Sequence, residues 1–200
     1  MTYSSNLPSA TTASTFPTAH KQIETFTEDP ATELAEMQLR LNRFSELGIR
    51  LEGHEVLDDI ADDMAQRSGF LYSMVNGFGE QQTFLGLHNP SPDAGYPIVG
   101  RTMSRNHGYC PEVIQRKLGL PLPDVAASPR FQSNPVVDAI GIQSYFGSPI
   151  IDEATGLALV TVCIIDPQPR TLADATRLQT IVKDTARATA DALKIKTPGP

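Results

Sequence analysis

The sequence predicts an α/β domain, and three features carry that expectation. Residues 157–165, LALVTVCII, are apolar on both faces and rich in β-branched side chains, the pattern of a central strand covered on both sides. Residues 142–151 precede it with alternating faces: Ile142, Ser144, Phe146, Ser148 and Ile150 on one, Gln143, Tyr145, Gly147 and Pro149 on the other. The sequence Asp152-Glu153-Ala154-Thr155-Gly156 then supplies a hairpin turn in which Gly156 is free to take positive φ. Helix-period stripes flank these strands, Leu34, Met37, Leu41, Phe44 and Leu47 before them, and Leu172, Ala175, Leu178, Ile181, Val182, Thr185, Ala186 and Ala190 after.

The remaining elements follow in chain order. Residues 1–30 are Ser, Thr, Pro and Ala with no sustained periodicity, too polar to offset their ordering entropy, and are expected to form a disordered tail. The first helix opens at Asp29-Pro30 and closes near Gly48. A second helix is expected over residues 55–67, with Val56, Leu57, Ile60 and Met64 inward and Asp58, Asp59, Asp62 and Asp63 forming a solvated outer face. Residues 70–75 read as a strand, Asn76-Gly77 as its turn, and residues 82–87 as the returning strand. A Pro- and Gly-rich segment leads to a short helix over residues 111–117, whose proline sits harmlessly in the first turn. The stretch 118–122, broken by Pro121 and followed by Pro123, belongs at a sheet edge. A short polar helix is expected ahead of residue 142, and residues 195–200 form a second tail.

Composition narrows the function. The 200 residues fit one domain, and a net charge of −7 argues against nucleic acid or an anionic membrane as partner, since both require a basic face. No apolar run reaches membrane-spanning length, no signal-peptide pattern opens the chain, and a cytoplasmic location is expected. Cys110 and Cys163 lack C-x-x-C spacing and are expected as thiols. No zinc motif, P-loop, dinucleotide-binding glycine fingerprint or nucleophile elbow occurs; no metal site is expected, and no cofactor is indicated.

The second half of the chain resembles the GAF domain in its bacterial sensor-type subgroup. The matching residues are Pro123-Asp124, Pro129-Arg130-Phe131, Asn134-Pro135, Val137, Ile142, Tyr145, Gly147, Pro149, Cys163, Ile165-Asp166 and Pro169-Arg170, in the family's order and spacing. The resemblance extends over residues 31–194. It implies a GAF-type, PAS-like sheet of five or six strands, antiparallel or mixed, with the terminal helices on one face and a cap over a ligand pocket on the other. It further implies a sensor of a small molecule or of redox state, dimeric through its terminal helices. No kinase, phosphodiesterase, cyclase or helix-turn-helix segment is recognised, so a stand-alone domain is expected, signalling through a separate partner or its dimer mate.

Cys110 leads the site candidates. It precedes a helix, with His107 and Arg105 close in sequence, a setting that lowers a thiol pKa. The bland alternative is a small pocket-wall residue. Cys163 reads as a buried small hydrophobe, or as the partner of Cys110 in a redox pair if its face looks into the pocket. Tyr109 and Tyr145 each offer a pocket wall and one oriented hydroxyl; Asp124 is either a loop cap or a ligand contact; His107 is either a loop residue or a haem or iron ligand. Free methionine-R-sulfoxide reductases, an enzymatic branch of the resembled family, need a cysteine downstream of a Pro-Asp-Val loop. Pro123-Asp124-Val125 is present, but residues 132–139 hold no cysteine, which argues against that enzyme. The alternatives to a sensor are a cysteine-dependent redox enzyme of related type and a pure protein-interaction module.

Overall fold

The computed structural model describes residues 29–131 and 140–199. The N-terminal tail, apart from its last two residues, and the polar helix expected ahead of residue 142 lie outside that set. The described residues contain helices α1 (Pro30–Glu46), α2 (Glu55–Ser68), α3 (Cys110–Arg116) and α4 (Leu172–Ala192). They also contain strands β1 (Tyr72–Phe78), β2 (Gln82–His88), β3 (Thr102–Met103), β4 (Leu120–Leu122), β5 (Ser144–Ile151) and β6 (Ala158–Asp166). The strands form one antiparallel sheet in the order β3-β2-β1-β6-β5-β4. The doubly apolar segment is central, and the proline-bearing β4 is at an edge.

Two cores sandwich this sheet. On one face Phe44, Leu57, Met64, Leu178 and Val182 pack against Val75, Phe146, Val160, Val162 and Ile164. On the other, Tyr109, Val113 and Ile114 cover Tyr72, Met74, Tyr145, Cys163 and Ile165. Each fully buried aliphatic side chain stabilises the fold by roughly 1.5–3 kcal/mol, so β6, buried along its whole length, anchors both layers. Gly86 lets α2 lie close on β2: a Cβ there would sit 2.1 Å from the Leu57 carbonyl oxygen. Leu172, expected in the apolar stripe of α4, is exposed; the packed stripe begins a turn later, because Thr171 caps the helix by accepting from the Asp174 amide.

Polar ties fix the layers. Arg43 of α1 reaches both oxygens of Asp152, at 3.0 and 3.1 Å, in the β5–β6 turn. Burial pushes the Asp152 carboxyl up, but hydrogen bonds from Arg43 and Thr155 outweigh it and hold its pKa below the usual range. Asp59, Asp62 and Asp63 of α2 are exposed, as expected, while Asp58 is half-buried, and two of the four also tie the helix down. Asp58 accepts the Leu87 amide and pairs with Arg101, and Asp62 bonds His88, so this face pins the helix to β2 and to the segment entering β3.

Asn76-Gly77 is not a turn. Both residues lie inside β1, and the chain reverses at Gly79, whose amide donates to the Gln81 carbonyl. Gly77 is held in the strand by pairing with Thr83 of β2 and Val160 of β6, and a Cβ there would press on Leu51, 2.8 Å away, and on Leu85.

Candidate functional site

Strand register assembles the site. Across β1, β6 and β5, Met74, Cys163 and Gly147 are direct neighbours in one row, and Asn76, Thr161 and Pro149 form the next. Alternation along a strand places all six on the sheet face covered by α3. Leu159, which strict alternation would put on the Cys163 face, instead joins the opposite core, because the β5–β6 pairing shifts register between Ile150 and Ile151.

Gly147 is the gap in this row, and Tyr145 fills it. A Cβ at Gly147 would lie 2.1 Å from the Tyr145 hydroxyl, so the phenol occupies the space beside Cys163 that a side chain would take. Helix α3, packed over β5 and β6, delivers Cys110 from above. Its Sγ lies 3.5 Å from Cys163 Sγ and 3.4 Å from Tyr145 Oη. Cys163 Sγ in turn is 3.9 Å from the thioether sulfur of Met74. Cys110 is 5% exposed and Cys163 2%, so both thiols are buried and the first residue of α3 points down into the core.

The two thiols are electrostatically unequal. A hydrogen bond from Cys163 lowers the Cys110 pKa to about 7 against the opposing effect of burial, with Thr161, Tyr145 and Asn76 adding to the lowering. The same interaction holds the Cys163 proton, and with burial raises its pKa well above the ordinary thiol value. Burial and the neighbouring sulfurs raise Tyr145 likewise, keeping its hydroxyl a donor. The expected direction at Cys110 therefore holds, but for a different reason. Arg105 is occupied by Glu33 and the Gly79 carbonyl, and neither it nor His107 is among the leading causes of the shift.

Two buried oxygens beside Cys110, Asn76 Oδ1 and Thr161 Oγ1, accept no hydrogen bond, although both side chains act on the Cys110 sulfur. The Asn76 amide group donates to Gln82 Oε1 at 2.7 Å, and Gln82 Nε2 donates to the carbonyls of Ser104 and His107, at 2.8 and 2.7 Å, fixing the loop that enters α3. Sequence reading missed Asn76, Gln82 and Thr161. The available signal was polar residues at inward positions of apolar strands, hidden in part by reading Asn76-Gly77 as a turn.

The other candidates disperse. Tyr109 stacks edge-on against Tyr145 and Phe131 and donates to the Phe131 carbonyl at 3.0 Å, tying the cap loop to α3. Arg130 joins the same tie through Glu112 at 2.7 Å. Asp124 accepts the amides of Ala126 and Ala127 and so caps its own loop. The His107 backbone carbonyl is used by Gln82; its side chain is half-buried and lies outside the thiol cluster. Among the described residues no group of three or more His, Cys, Asp or Glu is arranged to hold a metal ion. Two open clefts, about 280 and 540 Å³, lie elsewhere, one lined by residues of α2 and α4 and one at the β1–β2 turn.

The fold recurs in solved structures. The phycocyanobilin-bound GAF domain of a cyanobacterial phytochrome superposes with a TM-score of 0.52 at 13% identity, covering 83% of this chain and 96% of that one. A segment of a methyl-accepting chemotaxis protein gives 0.51 at 17% identity, covering 78% and 98%. A far-red cyanobacteriochrome photoreceptor gives 0.51 at 12% identity, covering 80% and 97%. No curated protein sequence matches the chain. The family model for the GAF domain matches residues 52–192, the span that contains the whole sheet, α3 and the thiol pair, and this protein belongs to the GAF domain family.

Proposed function

We propose that this protein is a GAF sensory domain that reads redox state through reversible oxidation of Cys110 and Cys163 to a disulfide. The observation that carries this reading is the 3.5 Å separation of the two sulfurs. A disulfide needs about 2 Å between them, a gap that side-chain rotation and a small settling of α3 can close. The electrostatics favour the same chemistry, with one thiol ionised near neutrality as nucleophile and the other keeping its proton until it attacks. Because Cys110 begins α3, the bond would pull on the cap, which Tyr109, Glu112 and Arg130 connect to the loop at Phe131.

Output through a dimer mate is part of this proposal. Leu34 on the first half of α1 is 62% exposed, and Met37 follows it on the same face, whereas Phe44 and the packed stripe of α4 belong to the protein's own core and are unavailable for contact.

The test is to refold the chain in glutathione buffers of graded oxidation, quench by alkylation and read the intact mass. Refolding removes the access problem posed by buried thiols. The expected result is one monomeric species lighter by two hydrogens that reverts on reduction. A chain that stays reduced under oxidising buffer, or that carries glutathione instead of an internal bond, would contradict the proposal.

A further inference from the structure

The thiol pair is sealed from bulky reagents, yet Asn76 Oδ1 and Thr161 Oγ1 beside it accept no hydrogen bond. Asn76 and Thr161 are both fully buried, and they sit as direct neighbours across β1 and β6. A buried oxygen without a hydrogen bond is costly, and a guest that donates to it removes the cost. The guest must be very small, because Met74, Tyr145 and the α3 residues Cys110, Val113 and Ile114 are all buried in the core on this face of the sheet. It must also be able to donate a hydrogen bond.

We propose that Asn76 and Thr161, with the Tyr145 hydroxyl, form a binding site for a small hydroperoxide, hydrogen peroxide above all, which oxidises Cys110. This inference rests on the thiol-pair reading and names its oxidant. The peroxide donates its O–H groups to Asn76 Oδ1 and Thr161 Oγ1, which holds one oxygen against the Cys110 sulfur. The Tyr145 hydroxyl, 3.4 Å from that sulfur, donates to the departing oxygen.

The steps balance. Ionised Cys110 attacks one peroxide oxygen, an S–O bond forms, the O–O bond breaks, and the leaving hydroxide takes the Cys163 proton to become water. The Cys163 thiolate then attacks the Cys110 sulfur, the S–S bond forms, and the S–O bond breaks. The departing hydroxide takes up a proton equivalent to the one Cys110 released on ionising. Two thiols are oxidised by two electrons, and one peroxide is reduced to two waters.

The experiment follows the rate of thiol loss in the folded protein with hydrogen peroxide and with tert-butyl hydroperoxide, whose bulk the site excludes. Hydrogen peroxide should react faster by about tenfold or more. Thr161→Val, close in shape but without the hydroxyl, should slow the hydrogen peroxide reaction about fivefold to tenfold, while Thr161→Ser restores it. Equal rates with the two peroxides, or a Thr161→Val rate equal to the parent's, would overturn the hydroperoxide site; the peroxide comparison needs no variant and stands even if one fails to fold. If the internal bond forms at equilibrium in glutathione but these rate differences are absent, the hydroperoxide site falls and the thiol pair survives. If the bond does not form at equilibrium, both fall.

Discussion

Tyr145 lies over Gly147, two residues further along the same strand, and its hydroxyl occupies the space where a Gly147 side chain would begin. That overlap places a donor beside Cys110. Gly147→Ala should therefore expel the phenol, costing about 1–3 kcal/mol for overpacking, and should raise the Cys110 pKa. Urea denaturation and the ultraviolet absorbance of the thiolate measure both effects. An alanine variant with parental stability and an unchanged thiol titration would show that the ring does not depend on the glycine.

The thiol titration has a definite sign. Cys110 should ionise at about 7, so its reactivity should fall about tenfold for each pH unit below that point. Its folded-state pKa lies below the ordinary 9.0, so the ionised form contributes stability that is fully present above 9.0 and fades as pH falls through about 7. Cys163, with its proton held beyond 9.0, works the other way and costs stability only above that value. Stability measured from pH 7 to 9 should rise in the parent and lose that rise in Cys110→Ser; identical profiles would refute the assignment.

Much of the fold was legible because its signals are local. The strand pair ending in β6, the apolar stripes of the helices and the prolines of β4 each announce themselves within a dozen residues. Asn76-Gly77 misled because the same dipeptide suits a turn and a strand paired on both sides; only the pairing with β2 and β6 decides. For the candidate site, the residue types at Cys110, Tyr145 and Cys163 were readable, but their meeting was not. It depends on the register of three strands and on where α3 lands, which are relations between segments far apart in sequence. The cause of the low Cys110 pKa was misread for the same reason: sequence neighbours such as Arg105 were spent elsewhere, on Glu33, while strand neighbours did the lowering.

Gly86→Ala probes the opposite face. The added Cβ would meet the Leu57 backbone carbonyl at 2.1 Å, and a helix backbone cannot rotate away as a side chain can. The expected cost is about 3 kcal/mol, seen as a lower urea midpoint. A loss below about 0.5 kcal/mol would mean that α2 does not rest on β2 as described.

Leu34→Glu combined with Met37→Glu tests the proposed dimer. The parent should sediment as a dimer at roughly 20 μM, a concentration suited to ordinary micromolar association, and the double variant as a folded monomer. A monomeric parent would end the proposal that α1 carries the output.

The central claim is that Cys110 and Cys163 are a reactive pair within the native fold. Peptide mapping by mass spectrometry of the folded protein after brief hydrogen peroxide treatment tests it most directly. A single cross-linked peptide joining Cys110 to Cys163 is expected, lost on reduction and absent from Cys110→Ser and from Cys163→Ser. Two cysteines recovered unlinked, whether still reduced or separately oxidised, would contradict it.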